Sequence, residues 1–447
     1  MKIYLFNLWD RMRTGFWFTP GLITFAGILL SFFIPWLDAI QGDKITEFIG
    51  IPTVSPSAAH QLLGAIASAM ITVTGVVFSI TVVTLSIASS QFGPRLLRTF
   101  VSSRATQLSL GVFLATSVYS LLVMAQVRDG GESEFVPQIS LLFALGLLVT
   151  GVVFLIYYIH SVAALIQAPN VVHEVAKELD LSVDRLFPDE QKEGEQAAAD
   201  DRTFDEILTS LNLSEPDLRV KAEFEGYLQV VDIENLIGIA NRYDGFLAVP
   251  VRPGQFVIKG SDVVLGWCEE DWPDEAKSRL GRHFIVGNRP TPRQDIECCI
   301  NELVEVAVRA LSPGINDPMT ALSCIERISA AIGRLAEKEP RRRLWEKEGE
   351  PRLLVSEPTF SNILETGFTL IRQYGRDSAP VMIRLLEKLT ELTKKVRNKE
   401  SLEAIEKQVS MIMNSCEKFF PENEDIQDAR DWYRQARDSI KQENSSN

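Results

Sequence analysis

Six residues, Ser68, Thr72, Gly75, Ser79, Ser86 and Ser90, recur at steps of three, four or seven within a long uncharged run. That spacing places them on one face of an α-helix. The face is small and polar, and hydroxyls there can line a water path or meet another helix closely. A weaker series, Thr74, Thr81, Thr84 and Ala88, falls on roughly the opposite side, with Val, Ile, Leu and Phe78 between. The run ends at Gly93-Pro94, which must stop or bend a helix. Arg95 and Arg98 follow at once and would ring an inner mouth if several copies met about an axis. A second constellation, Leu311-Ser-Pro-Gly-Ile-Asn-Asp-Pro-Met319, reads as a short connection between two helices. Ser312, Pro313 and Gly314 end one helix, Asn316 lies in the turn, and Asp317 caps the next with Pro318 at its first position. Free amides at that start, with Arg309 near in sequence, suit either an anion or an interface.

Other reactive residue types form no recognisable catalytic pattern. His60, His160, His173 and His283 are scattered without metal spacing, and no nucleophile motif or glycine-rich phosphate loop is present. Cys298 and Cys299 are adjacent in a helix, so they point about 100° apart and cannot grip one ion as a Cys-x-x-Cys pair can. His160, at the end of the last apolar stretch, is a candidate for a helix-to-helix hydrogen bond or a proton-linked role. The chain is expected to be no enzyme and to carry no cofactor and no metal.

These residues need elements to position them, and the charge-free stretches supply those elements. Thr14 to Leu37, Phe48 to Pro94, Ala105 to Val127 and Phe135 to His173 contain no Asp, Glu, Lys or Arg. Each can cross about 30 Å of hydrocarbon. Four spans are therefore expected, at about 16–37, 59–90, 107–127 and 138–165, inside a transmembrane domain of residues 1–170. Lys2, Arg11 and Arg13 precede the first span, while Arg95, Arg98 and Arg104 lie between the second and third. The positive-inside rule puts those sides, both termini and everything after about residue 170 in the cytoplasm. The first span is too long for a signal core and contains Pro20 and Pro35, so it reads as retained.

The remainder is acidic. Beyond residue 167 it holds 37 Lys or Arg against 52 Asp or Glu, a net of −15. That charge opposes nucleic acid and broad adhesion to an anionic leaflet. Five cysteines, all in this part, suit a reducing compartment without structural disulfides. Residues 171–223 read as a helical connector with a mobile polar segment, Pro188 to Arg202. Residues 224–290 carry short β-rich runs separated by Arg252-Pro-Gly254 and Lys259-Gly260, expected to form a small β-barrel or sandwich. Asp232 should cap one inserted helix, Ile233 to Ala240. Residues 291–447 read as a helical cytoplasmic domain, in which Arg341-Arg342-Arg343, crowded by acids, is a solvated link between helices.

Phe16-Trp-Phe-Thr-Pro20, Gln91-Phe-Gly-Pro-Arg-Leu-Leu-Arg98, Arg289 through Asp295, and Ala310-Leu-Ser-Pro-Gly-Ile-Asn-Asp-Pro-Met-Thr-Ala321 resemble the bacterial predicted-membrane-protein family called domain of unknown function 2254. The likeness runs over nearly the full length. It implies a multi-pass protein of the bacterial inner membrane with a cytoplasmic region, and brings no established activity. Three functions suit such a chain. One is a homo-oligomeric, channel-like protein passing an ion or small solute, with membrane lipid around it. Another is a membrane-anchored sensor or scaffold without a pore, and the third is a secondary transporter. The fold class expected is an α-helical membrane domain followed by an α+β region.

Overall fold

A computed structural model describes residues 17–49, 54–93, 104–128, 135–165, 167–188, 202–269, 272–396 and 398–446. The chain forms two units, residues 1–170 and 171–447. Four long apolar helices make up the first: α1 (Phe18–Ile49), α2 (Pro56–Phe92), α3 (Arg104–Met124) and α4 (Gln138–Leu165). All four are long and apolar enough to cross a membrane. At 1.5 Å per residue the 37 residues of α2 span roughly 55 Å, well beyond the hydrocarbon thickness. Ser55 caps it, its side chain accepting from the Ala58 amide, and Pro56 sits in the first turn, where the missing N–H costs nothing. The first helix differs from expectation. It runs past Asp38 to Ile49, across Gly42, while its membrane-length apolar part, Phe18–Ile40, lies close to the expected span.

The four helices are not equivalent. The other three all pack against α3, which is the most buried of them. Two glycines permit the close approach of α1 to α3. A Cβ on Gly27 would come within 3.0 Å of Ala115 Cβ, and one on Gly111 within 2.7 Å of Ile23 Cδ1. Small residues at such crossings let backbones approach where no hydrophobic effect drives association.

The second unit begins with α5 (Ala168–Leu186, whose first three residues belong to the first unit) and α6 (Phe204–Ser210). Most of the expected mobile segment, residues 189–201, lies outside the described residues. Strands β1 (Leu218–Lys221), β2 (Gly226–Val231), β3 (Phe246–Val249), β4 (Phe256–Val257), β5 (Asp262–Trp267) and β6 (Phe284–Gly287) follow, with α7 (Ile233–Arg242) and α8 (Asp274–Leu280) inserted. Asp232 caps α7 by accepting from the Asn235 amide, as its position predicts. Helices α9 (Ile296–Ala310) and α10 (Pro318–Glu337) lead to a hairpin of β7 (Leu344–Lys347) and β8 (Glu350–Val355), and then come α11 (Phe360–Tyr374), α12 (Ala379–Thr393), α13 (Lys399–Phe419) and α14 (Asn423–Ser446).

The strands form no closed barrel among the described residues. They make a five-stranded sheet, ordered β1-β5-β3-β8-β7, and a three-stranded sheet, ordered β4-β2-β6. Residues from both enter one core cluster, among them Leu228, Val231, Leu247, Val263, Leu353 and Val355. Beyond β3 the larger sheet is continued by β8, which arrives from the region expected to be wholly helical and pairs parallel to β3, Leu247 opposite Leu353. That expectation is corrected by the run Leu353-Leu-Val355, whose burial completes the sheet, and by a tight turn at Glu348 and Gly349, both at positive φ. The arginine run is corrected with it. Arg343 is 3% exposed, its carbonyl accepts from the Val355 amide at 2.8 Å, and Arg341 and Arg342 are half-buried, so the run is a partly buried approach to β7 rather than a solvated link.

Candidate functional site

Helix α2 sorts its two polar faces. Thr81, Thr84 and Ala88 of the weaker series are buried against the bundle, and Thr74 is half-buried. Thr81 Oγ1 lies 2.8 Å from the Tyr158 hydroxyl, and Tyr158 donates to the Val77 carbonyl at 2.9 Å. This is the polar link between α2 and α4, and it belongs to Tyr158 rather than to His160, which is exposed. The stronger series behaves oppositely: Ser68, Thr72, Gly75, Ser79, Ser86 and Ser90 are all exposed. A Cβ on Gly75 would meet nothing within 4 Å, so packing within the chain does not require glycine there. Thr72 donates to the Ser68 carbonyl at 2.8 Å and Ser90 to the Ile87 carbonyl at 2.9 Å. Such back-bonding occupies the hydroxyl proton and leaves the oxygen's acceptor capacity outward.

The spacing of its residues does not mark α3 as a polar helix, yet it is one. Thr106, Gln107, Ser109, Thr116, Ser117 and Ser120 are all buried there. Ser109 donates across to the Phe154 carbonyl of α4 at 3.1 Å, while Thr116 and Ser117 bond to their own helix. The signal is present as hydroxyls spread round a charge-free span, a pattern that gives no single face. Asp38, a loop charge by sequence, is 7% exposed and caps α4, its carboxylate accepting from the Ile139 and Ser140 amides at 2.9 Å each and from Ser140 Oγ at 2.6 Å. An acid at a helix N-terminus satisfies orphan amides and complements the positive end of the helix dipole. Nearby, Gln138 exchanges two hydrogen bonds with the Val54 backbone, and Gln126 donates to the Ser31 carbonyl at 2.8 Å. Polar contacts thus tie α1 to α4, the segment before α2 to α4, and the segment after α3 to α1.

Of the inner-mouth residues, Gly93 follows α2 with φ +105, and Pro94, Arg95 and Arg98 lie outside the described residues. The loop before α10 is described in full. Ser312 is half-buried, Pro313, Gly314 and Asn316 are exposed, and Ser312 donates to the Arg309 carbonyl at 2.6 Å. Asp317 accepts from the Thr320 amide at 3.1 Å and from Thr320 Oγ1 at 2.5 Å, while its own amide donates to the Ala310 carbonyl. The carboxylate therefore occupies the helix start where an external anion would sit. Arg309 pairs with Glu305 at 3.4 Å, which turns its charge inward along α9.

The family model described as predicted membrane protein, domain of unknown function 2254, matches residues 13–391. The chain belongs to this family. Uncharacterized proteins of Mycobacterium tuberculosis and Mycobacterium bovis are 30% identical to it over 432 residues, covering 93% of this chain and 79% of theirs. No solved structure matches.

The domain of unknown function 2254 match takes in both units and ends within α12, before α13 and α14. Inside it lies a second polar centre that the spacing of residues does not assemble. Arg252 pairs with Glu297 at 2.8 Å and approaches Asn362 Oδ1 at 3.3 Å, and Thr366 donates to Glu297 at 2.8 Å. Arg341 bonds Glu357 at 2.7 Å and the Gln294 carbonyl at 3.0 Å. Asp295 lies against Gly254, which at φ +90 has no Cβ to collide with its carboxylate. Burial pushes Asp295 up to about 7; the Glu297 charge adds to the rise, while the Cys298 and Glu297 amides and Arg252 oppose it. Burial also raises Glu357, against Arg341, Arg343 and Arg252. Gln294 meanwhile exchanges hydrogen bonds of 2.8 and 3.1 Å with the Val231 backbone and so extends β2. The turn Arg252-Pro-Gly254 and the family segment ending at Asp295 thus meet, about 40 residues apart in sequence, and the arrangement bridges sheet and helices. The signal available is that both segments stand out as motifs.

Proposed function

We propose that this protein is an oligomeric inner-membrane channel-like protein passing ions or small solutes along the Ser68, Thr72, Gly75, Ser79, Ser86 and Ser90 face of α2. The supporting observation is the sorting of α2: its weaker polar series is consumed inside the bundle, while the stronger one is left outward by a chain that had buried hydroxyls available for packing on α3. In lipid, an outward face of hydroxyls and an unpacked glycine gains little, whereas copies arranged about an axis would give those oxygens water or one another. Arg95 and Arg98 would stand at the cytoplasmic mouth, and the positive-inside rule favours both termini on that side. The second unit would act as the cytoplasmic regulatory region. Purified protein in planar bilayers should conduct, with a reversal potential under a salt gradient that Arg95→Glu shifts. No conductance under voltage, tension or altered pH would reject the channel.

A second reading has its own support. Thr72 and Ser90 already return their protons to the α2 backbone, so the face is tolerable against another protein helix without water. On that reading the face only assembles a membrane-anchored scaffold, and Ser79→Leu weakens assembly with no ionic effect. A secondary transporter would instead show substrate-coupled uptake in proteoliposomes, and would use the same face.

A further inference from the structure

The second unit is acidic as a whole, yet cations gather at one end of its sheets. Arg219, Lys221, Lys259 and Lys277, with Glu223, line an open recess of about 440 Å³ beside the edge strand β1. Arg219 is held by Asp262 at 3.3 Å and Glu215 at 4.0 Å, and Lys277 by Asp274 at 3.5 Å. Among the described residues, Lys221 and Lys259 have no ion-pair partner. The turn that carries Lys259 is fixed by its backbone. Ser261 donates to the Ile258 carbonyl at 3.1 Å, Gly260 takes φ +91 in the third position, and the turn is tied to Ala222 by bonds of 2.8 and 2.9 Å. This turn holds Ile258 63% exposed and, two residues earlier, Phe256 50% exposed, while Val257 between them is buried. The Phe256 ring meets Tyr227 edge-on, with centroids 5.1 Å apart.

We infer that this turn docks on an anionic phospholipid surface, with Ile258 and Phe256 entering the headgroup boundary and Lys221 and Lys259 meeting lipid phosphates. Three observations select a bilayer as the occupant. Aliphatic and aromatic side chains beside unpaired ammonium groups combine the two attractions of an interfacial anchor. A free phosphate would use the lysines and leave Ile258 and Phe256 in water. The net charge of −15 over residues beyond 167 opposes adhesion of the unit as a whole, so docking needs a local cationic patch of this kind. Finally, the unit begins at Val171, a few residues after α4 ends at Leu165, so the bilayer holding the chain is always at high effective concentration.

The test is hydrogen exchange of residues 255–261 in the full chain, reconstituted in vesicles of phosphatidylcholine alone and of equal parts phosphatidylcholine and phosphatidylglycerol. Exchange should be slower in the anionic vesicles, and high salt should erase the difference. Lys221→Glu with Lys259→Glu should abolish it, each lysine accounting for roughly fivefold in the docking equilibrium. Ile258→Ser should reduce it while leaving the unfolding midpoint unchanged, which separates lost docking from lost folding. Equal exchange in both vesicles, or a difference that survives charge reversal, would overturn the inference. So would protection by inorganic phosphate in phosphatidylcholine vesicles, or protection that follows protein density in the membrane rather than lipid charge, which would assign the face to a second copy.

Discussion

The two units of this chain keep buried polar atoms by opposite means. In the first, the side-chain partners are mostly neutral: hydroxyls of α2 and α3 bond to carbonyls of their own or a neighbouring helix, and the one buried carboxylate among the described residues, Asp38, takes backbone amides. In the second, charges are half-buried or buried in pairs, Arg252 with Glu297 and Arg341 with Glu357, beside an Asp295 whose carboxyl burial raises to about 7. The difference comes from the solvent each unit displaces. A hydroxyl can satisfy itself on an i−4 carbonyl with no other chain present, which suits hydrocarbon, where an ion has nothing to replace its water. At a junction of sheet and helices, guanidinium groups reach several acceptors at once, and the pair holds distant segments in register. Within the first unit the same contrast recurs more finely, since α3 hides its hydroxyls and α2 shows them.

Breaking one charged pair should have the largest effect. Arg341→Met strands Glu357 in the interior and should cost about 3 kcal/mol in urea unfolding of the second unit, and Arg341→Met with Glu357→Leu should recover most of it. If the single change costs nothing, the pairs are not what joins sheet to helices. Next is a pH effect. Because the Asp295 carboxyl is raised from 3.8 to about 7, its contribution is complete below pH 4 and is lost as the pH rises toward 7. Glu357 is shifted in the same direction. Asp295→Asn should therefore reduce the fall in stability over that window and leave the variant more stable at pH 8 by roughly 2–4 kcal/mol, read from unfolding midpoints at pH 5 and pH 8.

In the first unit, Asp38→Asn weakens the three bonds that cap α4 and should cost about 2 kcal/mol, measured by unfolding in mixed micelles. The contrast between α2 and α3 is sharpened by a matched pair of glycines. Gly111→Leu forces atoms into Ile23 and Pro20 and should lose about 1–3 kcal/mol, whereas Gly75→Leu should stay within about 0.5 kcal/mol in the protomer and act only on assembly or flux. Equal losses would mean that α2 packs as tightly as α3. A modest effect is expected of Tyr158→Phe, which removes both contacts of the Tyr158 hydroxyl with α2 and should cost about 0.6–1.2 kcal/mol in the same micelle assay.

Much of the first unit was legible because hydrocarbon imposes a strong and local rule. A stretch without charge, long enough to span, must be a helix, and four such stretches correspond to four helices. What the pattern lacked was any statement of which helix lies inside. Two polar faces on α2 were visible in the spacing of its serines and threonines, but their assignment needed Tyr158, 77 residues from Thr81. In the second unit the Asp232 cap was readable from its place before the inserted helix. β7 and β8 were not, since acidic residues around a short hairpin resemble a solvated link until a parallel neighbour is known. The pairing of Arg252 and Glu297 was invisible for the same reason.

By itself, then, the sequence determined the membrane-length helices, the acidity of the region beyond them, the local caps and turns, and membership of the family, because each depends on neighbours along the chain. Only the tertiary structure decided that α3 is the inner helix, that the stronger hydroxyl face of α2 is left outward, and that Asp295 is desolvated against Gly254. Burial is a property of the atoms that arrive from elsewhere in the chain, and the same serine or carboxylate acquires a different role according to which of them displace its water.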